Sequence, residues 1–577
     1  MKKRGINRLL AAILAMIMIA AVAACGDGSG NASQSPGASA SPTGGNTGNS
    51  TAPTDGKDEI PEWMAPYGRY PETVVVTVAK STPPTPNLLP GDTAEDSPMT
   101  RYILDVMNIK IEVVWEVPED AYGTRLALQI ASGDIPDSLT LSQRDFLLYR
   151  QLAENNLLAD LQQGFDLTMG DNIRVILETF GDAILDPFRM NSELLAVAAG
   201  SPGWNTHNIL WLRQEWLNGM SAPRTIEDIE NILRAWKESP PAPGYQGLLL
   251  HHKDVSSPFA RYSASPIFHA LGAMPNAWVR GSDGQVTWGS VLPEVRDGLA
   301  LLARWFDEGL IDQQFMARTA AGSDTALIAD GQIGMWFGPW WEPSGGLIDL
   351  PTRFPEIDLT PLTVPVDKNG NFNVMFPNPI GSMIMMNRNH PHPEAVFKIL
   401  NAEYDMWRGW DPVGDALILE TRDNGVAWTY LFPTGDFNIV YFTQLINMSN
   451  WASNYVENGV LPPDLATPMQ VRRIELAALY ANEGIDENNS WSEYMMMYRA
   501  NHPSLIQAAN FKWNQPAFGF ATDSTPDYLP QLNDLEATVF LRIIVGELPI
   551  EAFDQFVVDW YAQGGQILTD EARAIAG

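Results

Sequence analysis

The sequence predicts an α/β protein built as two lobes, and three observations predict it. About 515 residues follow a low-complexity N-terminal stretch, more than one hydrophobic core usually grows to. Between residues 73 and 117 a β-branched run, a helical pattern and a second β-branched run follow one another, the order of a parallel βαβ unit. Amphipathic helical patterns then alternate with short strand-like runs as far as the C-terminus. A hydrophobic content of 45% with 19 tryptophans supplies the apolar surface that two cores need.

The chain begins with a basic head, Lys2, Lys3, Arg4 and Arg8, and an unbroken apolar run from Leu9 to Ala24. That combination reads as an export signal over residues 1–24 rather than a packed element. A retained N-terminal anchor is the alternative, since the run approaches the ~18 to 20 residues of a membrane span. The sequence Val22-Ala23-Ala24-Cys25 resembles a bacterial lipobox: small residues fit a peptidase cleft, and the sulfur is a nucleophile for lipid attachment. The resemblance implies a diacylglyceryl thioether on Cys25, and two or more acyl chains anchor stably where one is marginal. Cys25 is the only cysteine, so the mature body holds together by burial, without disulfides.

Residues 25–62 form a tether of mostly Gly, Ser, Thr, Asn, Ala and Pro, which bury too little surface to offset the entropy of ordering. A flexible segment of this length spans roughly 30 Å root-mean-square. The body is therefore expected to work on the outer face of the cell membrane, within reach of the anchor.

In the body, "TVVVTVAK" (73–80) and "IKIEVVWEV" (109–117) are strands, with a short helix in "SPMTRYILDVM" between them. "ASGDIPDSLTL" (131–141) closes a helix with Gly and Pro and opens another strand. "TIEDIENILRAWKE" (225–238) starts with a capping box of Thr225 and Asp228, and Ile226, Ile229, Ile232, Leu233 and Trp236 line one face. In "PEVRDGLALLARWFDEGLI" (293–311) Pro293 suits the first turn, and Val295, Leu299, Leu302, Phe306 and Leu310 form the stripe. "GQIGMWFGPWW" (331–341) is a strand ending in an aromatic loop, "GSMIMMN" (381–387) a strand, and "PEAVFKILNAEYDMW" (393–407) a helix. The C-terminal part is helical through "LNDLEATVFLRIIVGE" and "IEAFDQFVVDWYAQGG".

The net charge falls from −33 for the whole chain to −37 once the leader, with four positive charges and no acid, is removed. That acidity excludes nucleic acid and an anionic lipid surface as partners and slightly favours a neutral ligand over a polyanion.

Five segments, taken together and in this order, resemble the extracellular solute-binding proteins of ABC importers. They are "ASGDIPD" (131–137), "LWLRQEWLNGMSAPRTIEDIENILRAW" (210–236), "LLARWFDEGLIDQQF" (301–315), "GQIGMWFGPWW" (331–341) and "LRIIVGELPIEAFDQFVVDWYAQGG" (541–565). The likeness is to the large lipoprotein branch of the sugar-binding group, similar to alginate- and maltose-binding proteins. It implies a two-lobed, periplasmic-binding-protein-like fold with a hinge and a ligand cleft between the lobes. Lobe 1 would take residues 65–196, lobe 2 residues 197–377, and residues 378–577 would return through the hinge to complete both. The partners implied are an oligosaccharide and the permease subunits, with the binder a monomer. Many relatives carry a calcium loop after the helix matching 225–238. Here that place reads "SPPAPGYQG" (239–247), which lacks the oxygen ligands calcium needs. "DKNGNFN" (367–373) puts its glycine at the wrong position for such a loop and reads as a hairpin turn at Asn369-Gly370. Neither metal nor cofactor is expected.

Sugar sites pair aromatic platforms with planar hydrogen-bonding side chains. Trp340 and Trp341, just after a strand-ending Gly-Pro, are candidates with Glu342; in the resembling family the Trp after Gly-Pro stacks on ligand. Trp204 and Asn205 in the loop "GSPGWNTHN" are a second group, against the reading of a plain crossover loop. Trp451 and Phe518 are further loop aromatics. Arg213 and Glu215 are expected to pair with each other. "YMMMY" (494–498) reads as core filler on a helix. His251 and His252, on a strand, would face opposite ways, and His390 and His392 sit in a Pro-flanked turn without an acidic partner. No phosphate loop, zinc-helix motif or serine elbow appears in the sequence.

Three functions compete on these observations. The leading one is a lipid-anchored binder delivering an oligosaccharide to an ABC permease, with no catalysis. A surface glycoside hydrolase would share the tryptophans and the acidity, but needs two carboxylates about 5 to 10 Å apart, and nothing singles out a pair. A ligand-sensing subunit for a membrane kinase would use the same fold.

Overall fold

The computed structural model describes residues 60–576 apart from 83–87, 201–206, 259, 319–321, 377, 379, 409–430, 436, 438–439, 442, 464–465, 488, 518 and 520. Its principal strands, in chain order, are β1 (Val74–Thr82), β2 (Ile109–Pro118), β3 (Ser138–Ser142), β4 (Val197–Gly200), β5 (Ile209–Arg213), β6 (Met335–Gly338), β7 (Leu359–Leu362), β8 (Phe372–Met375), β9 (Ile380–Met386) and β10 (Phe511–Asn514).

Val74, Val76 and Val78 alternate inward along β1, which pairs in parallel with β2 on one side and β3 on the other. β9 runs antiparallel to β3 and β4 and completes a five-stranded sheet in the order β2-β1-β3-β9-β4. Met383, Ile384, Met385 and Met386 are all fully buried, the unbroken apolar run of a strand covered on both faces. The helix Pro98–Met107 joins β1 to β2, with Ser97 and Thr100 in a capping box and Asn108 in the left-handed region at φ 59° ending it.

A second sheet has the order β6-β5-β7, both pairs antiparallel. The helix Ile226–Glu238 starts as its sequence predicts: Thr225 Oγ1 accepts from Asp228 N at 3.1 Å, and the Asp228 carboxylate accepts from Thr225 N at 2.9 Å. The helix Pro293–Asp307 also forms, but its stripe differs by one position. Val295, Leu299 and Leu302 are buried, and Trp305 rather than Phe306 follows them inward. The reason is polar: the Trp305 indole N–H donates to the buried Glu230 carboxylate at 2.8 Å.

The apolar interior divides. One core draws on residues from Tyr70 to Ala199 and from Ile380 to Tyr441. The other clusters draw on Ile209–Val364 together with Leu445–Ala500 and Leu532–Ala572. The chain thus passes from the first core after β4, forms a small separate cluster where Phe372 and Val374 of β8 meet Phe511 of β10, returns to the first core at β9, and leaves it again before the helix Gln444–Asn458.

Three local expectations are corrected here. The turn at Asn369-Gly370 exists, with Gly370 at φ 82° and the Asp367 carboxylate accepting from Asn369 N and Asn371 N, both at 2.8 Å. The strand it opens is not half of a hairpin, because β8 pairs in parallel with β10. His390 and His392 do have an acidic neighbour: Glu394, brought round by the following helix, lies 3.1 Å from His392 Nδ1. His251 and His252 lie on a loop rather than a strand, and their rings sit together, centroids 4.5 Å apart. "YMMMY" packs inward as predicted, with Met495, Met496 and Met497 buried, although the turn it forms is a π-helix, Tyr494–Ala500.

Candidate functional site

The loop after β6 begins with Gly338, where an added Cβ would come within 2.9 Å of Glu342 Oε2. Glycine is needed there because Glu342 folds back under the strand end. Its backbone N–H donates to Pro339 O at 3.0 Å, and the Trp211 indole pins the same carbonyl at 3.1 Å. The tight turn separates the two tryptophans. Trp340, 8% exposed, joins the core cluster around Trp211 and Trp336, whereas Trp341 is 38% exposed.

The Glu342 side chain is fully buried, and Arg261 holds it through two bonds, Nε to Oε2 at 3.0 Å and Nη2 to Oε1 at 2.6 Å. Tyr262 Oη donates to Glu342 Oε1 at 2.8 Å and lies 2.8 Å from Thr325 Oγ1. The Arg261 guanidinium also lies 5.5 Å from the centre of the Trp341 ring, within cation–π range. Burial pushes the Glu342 carboxyl up, while Arg261 and Tyr262 pull the other way. Burial likewise raises the Tyr262 phenol well above its ordinary range, so it remains a neutral donor.

Tyr262 adopts φ 61°, a conformation rare for a bulky residue. The surrounding bonds hold it there: its N–H donates to Phe337 O at 2.9 Å, and His251 N donates to its carbonyl at 3.0 Å. Strain of this kind persists only where the neighbourhood over-determines it, and such places cluster at ligand sites.

Arg261, Tyr262 and Thr325 line a cavity of about 340 Å³ that also takes in His251, His252, Asp254, Arg318 and Asp324. This is within the range of small-ligand pockets. Arg318 Nε bonds Asp324 Oδ1 at 3.1 Å, and its other end meets the buried Asp312 carboxylate. Both ring nitrogens of His252 are buried and find no hydrogen-bond partner among the described residues. Burial, with His251 and Lys253 close by, holds the His252 pKa below its usual value, so the ring is neutral near pH 7.

Of the sequence-predicted site residues, Trp341 and Glu342 meet at Arg261, while Trp340 lies in the core behind them. Trp451 is half-buried on the helix Gln444–Asn458 and packs against the same core cluster as Trp340. Arg213 and Glu215 pair at 2.8 Å. Trp204, Asn205, Phe518 and Cys25 lie outside the described residues. The sequence reading missed Arg261, Tyr262, Arg318, Asp324 and Thr325. Their one local signal is an Arg-Tyr pair inside the Ser- and Pro-rich "SSPFARYSASP". Among the described residues no group of three or more His, Cys, Asp or Glu side chains could hold a metal ion, and no helix is long and apolar enough to cross a membrane.

Comparison with known proteins agrees with this architecture. Residues 92–402, more than half of the chain, match the family described as bacterial extracellular solute-binding protein. Lipoprotein LipO of Bacillus subtilis (strain 168) is 21% identical over 521 residues, covering 85% of this chain and 91% of LipO. Among solved structures, an HMO-binding, ABC-transporter-associated solute-binding protein from Bifidobacterium longum infantis superposes with a TM-score of 0.59 at 15% identity, over 87% of this chain and 98% of that one. The S. pneumoniae ABC-transporter substrate-binding protein FusA, in complex with kestose, gives 0.56 at 15% identity, over 88% and 99%. The mixed α/β fold is therefore periplasmic-binding-protein-like. The chain belongs to the bacterial extracellular solute-binding protein family.

Proposed function

We propose that this protein is a lipid-anchored extracellular binder that captures an oligosaccharide and delivers it to the permease of an ABC importer. The observation that carries the reading is the exposed Trp341 ring beside Arg261, whose guanidinium lines a cavity together with Tyr262 and Thr325. Sugar rings offer C–H faces to an aromatic platform and hydroxyls to planar donors, and this wall supplies both. The kestose complex of FusA and the HMO-binding neighbour support the ligand class. LipO supports the lipoprotein reading, with Cys25 as the attachment point and the outer face of the membrane as the location.

The separate cores support two lobes along the proposed lines, 65–196 completed after 378 and 197–377 joined by much of the C-terminal helical region, except that Val197–Gly200 pairs into the first sheet and moves that boundary past Gly200. Trp341 is the proposed platform, and Glu342 acts through Arg261. Trp204, Asn205, Trp451 and Phe518 are further proposed contacts. Binding without catalysis fits the carboxylates at this wall. A glycosidase needs a pair of available carboxylates, whereas here Glu342 is shielded behind Arg261 and Asp324 is engaged by Arg318, which leaves Asp254 alone at this wall among the described residues.

The test is calorimetric titration of the mature chain against neutral oligosaccharides, with a reducing-sugar assay on the same mixtures. Saturable binding without sugar release supports the proposal. Release of reducing ends would replace it with the hydrolase.

A further inference from the structure

We infer that Glu342 sets the charge selectivity of this cavity: by engaging Arg261 it makes the site accept uncharged sugar units and refuse uronic, sialic or sulfated ones. The inference rests on the oligosaccharide reading above and names the class of sugar.

The two guanidinium groups at the cavity wall, Arg261 and Arg318, are the groups an acidic sugar would need. Both are already neutralised. Arg261 gives Nε and Nη2 to the Glu342 carboxylate, and Arg318 is divided between Asp324 and Asp312. Lys253 is exposed and is not part of the wall. An anion entering the cavity would instead face Asp254, whose side chain is 55% exposed, with only the neighbouring His251 at 3.7 Å. Like charges brought together on binding suppress the wrong ligand more than they strengthen the right one.

What the wall leaves open suits a hydroxyl. The neutral His252 ring carries one donor and one acceptor nitrogen, both buried and both unused by the described residues. A sugar hydroxyl both donates and accepts, so it satisfies such a ring where a carboxylate, which only accepts, satisfies half of it. Thr325 adds a hydroxyl of the same dual character at the same wall, while that of Tyr262 is already engaged by Glu342, Arg261 and Thr325 and holds the pair in place.

The experiment compares matched sugars differing only in the oxidation of C6: manno-oligosaccharide with oligomannuronate, galacto- with oligogalacturonate, and gluco- with oligoglucuronate. Calorimetric titration of the mature wild-type chain should show the neutral member of a bound pair at least about tenfold tighter than its uronate. In Glu342→Gln the carboxamide no longer offsets the guanidinium, and that ratio should fall by about tenfold or invert. Glu342→Asp should keep the wild-type preference, which a merely structural role for Glu342 would not require. If Glu342→Gln does not fold, Asp324→Asn performs the same test on Arg318. A wild-type preference for a uronate, or an unchanged ratio in the folded Gln variant, overturns the inference and leaves the oligosaccharide reading standing. Absence of binding to every member of every pair overturns both.

Discussion

Trp340 and Trp341 are neighbours in sequence and opposites in exposure, 8% against 38%. The turn closed by Glu342 N and Pro339 O sends one ring back into the core cluster and the other out over Arg261. The sequence motif alone points to Trp340 as the platform. The geometry favours Trp341.

Single alanine substitutions separate the two. Trp341→Ala should weaken sugar binding by roughly 1.5 to 3.5 kcal/mol, from lost stacking and lost burial, or about 10- to 400-fold. Its thermal midpoint should barely move. Trp340→Ala should instead cost about 3 to 5 kcal/mol of folding stability. Calorimetric affinity and melting temperature on both variants decide the matter, and the reversed pattern would return the platform to Trp340.

Ligand bridging two lobes should favour the closed arrangement by its differential affinity for it. Small-angle scattering at saturating oligosaccharide is therefore expected to give a smaller radius of gyration than the free protein. An unchanged curve at saturation would argue against a clasping mechanism.

Glu536 makes stability depend on pH. It is 3% exposed in the helix Thr525–Ile544 and accepts from Ser256 Oγ at 3.2 Å and Trp288 Nε1 at 3.4 Å. Burial pushes its carboxyl up to about 7, against the pull of those bonds and of Ser290 and Asn276. An unfolded glutamate titrates near 4.3, so between that value and about 7 the folded state binds more protons. The contribution of this group is thus present in full below about pH 4 and is lost as pH rises to about 7, by roughly 3 kcal/mol at ~1.4 kcal/mol per pKa unit. Glu536→Gln removes the titration. Chemical denaturation at pH 5, 6, 7 and 8 should show the variant gaining on the parent as pH rises. A constant difference between the two would exclude Glu536 as the titrating group.

Cys25→Ser should abolish incorporation of labelled palmitate and leave the protein soluble or held by its uncleaved leader. Labelling that survives the substitution would place the anchor elsewhere.

Local structure was legible in the sequence wherever a short stretch carries its own physics. The capping box at Thr225 and Asp228 and the strands in "TVVVTVAK" and "GSMIMMN" each depend on neighbours within a few positions, and all three formed as read. The family likeness was legible as well, because its five segments keep their order along the chain. Contacts between distant residues had no such local trace. Trp305 displaced Phe306 from its helix stripe because Glu230, 75 positions away, offers a buried acceptor. Tyr70 reaches the Glu394 carboxylate across 324 positions at 2.7 Å, a bond that no local pattern announces. The candidate site shows the division most clearly. Gly338, Pro339 and the two tryptophans announce an aromatic turn from sequence, but Arg261 reaches Glu342 across 81 positions and Tyr262 reaches Thr325 across 63. Such pairings cost chain entropy to close and are stabilised only by the packed sheet beneath them. Sequence determined the elements and the family; which tryptophan faces outward, and which arginine stands beside it, only the tertiary structure decided.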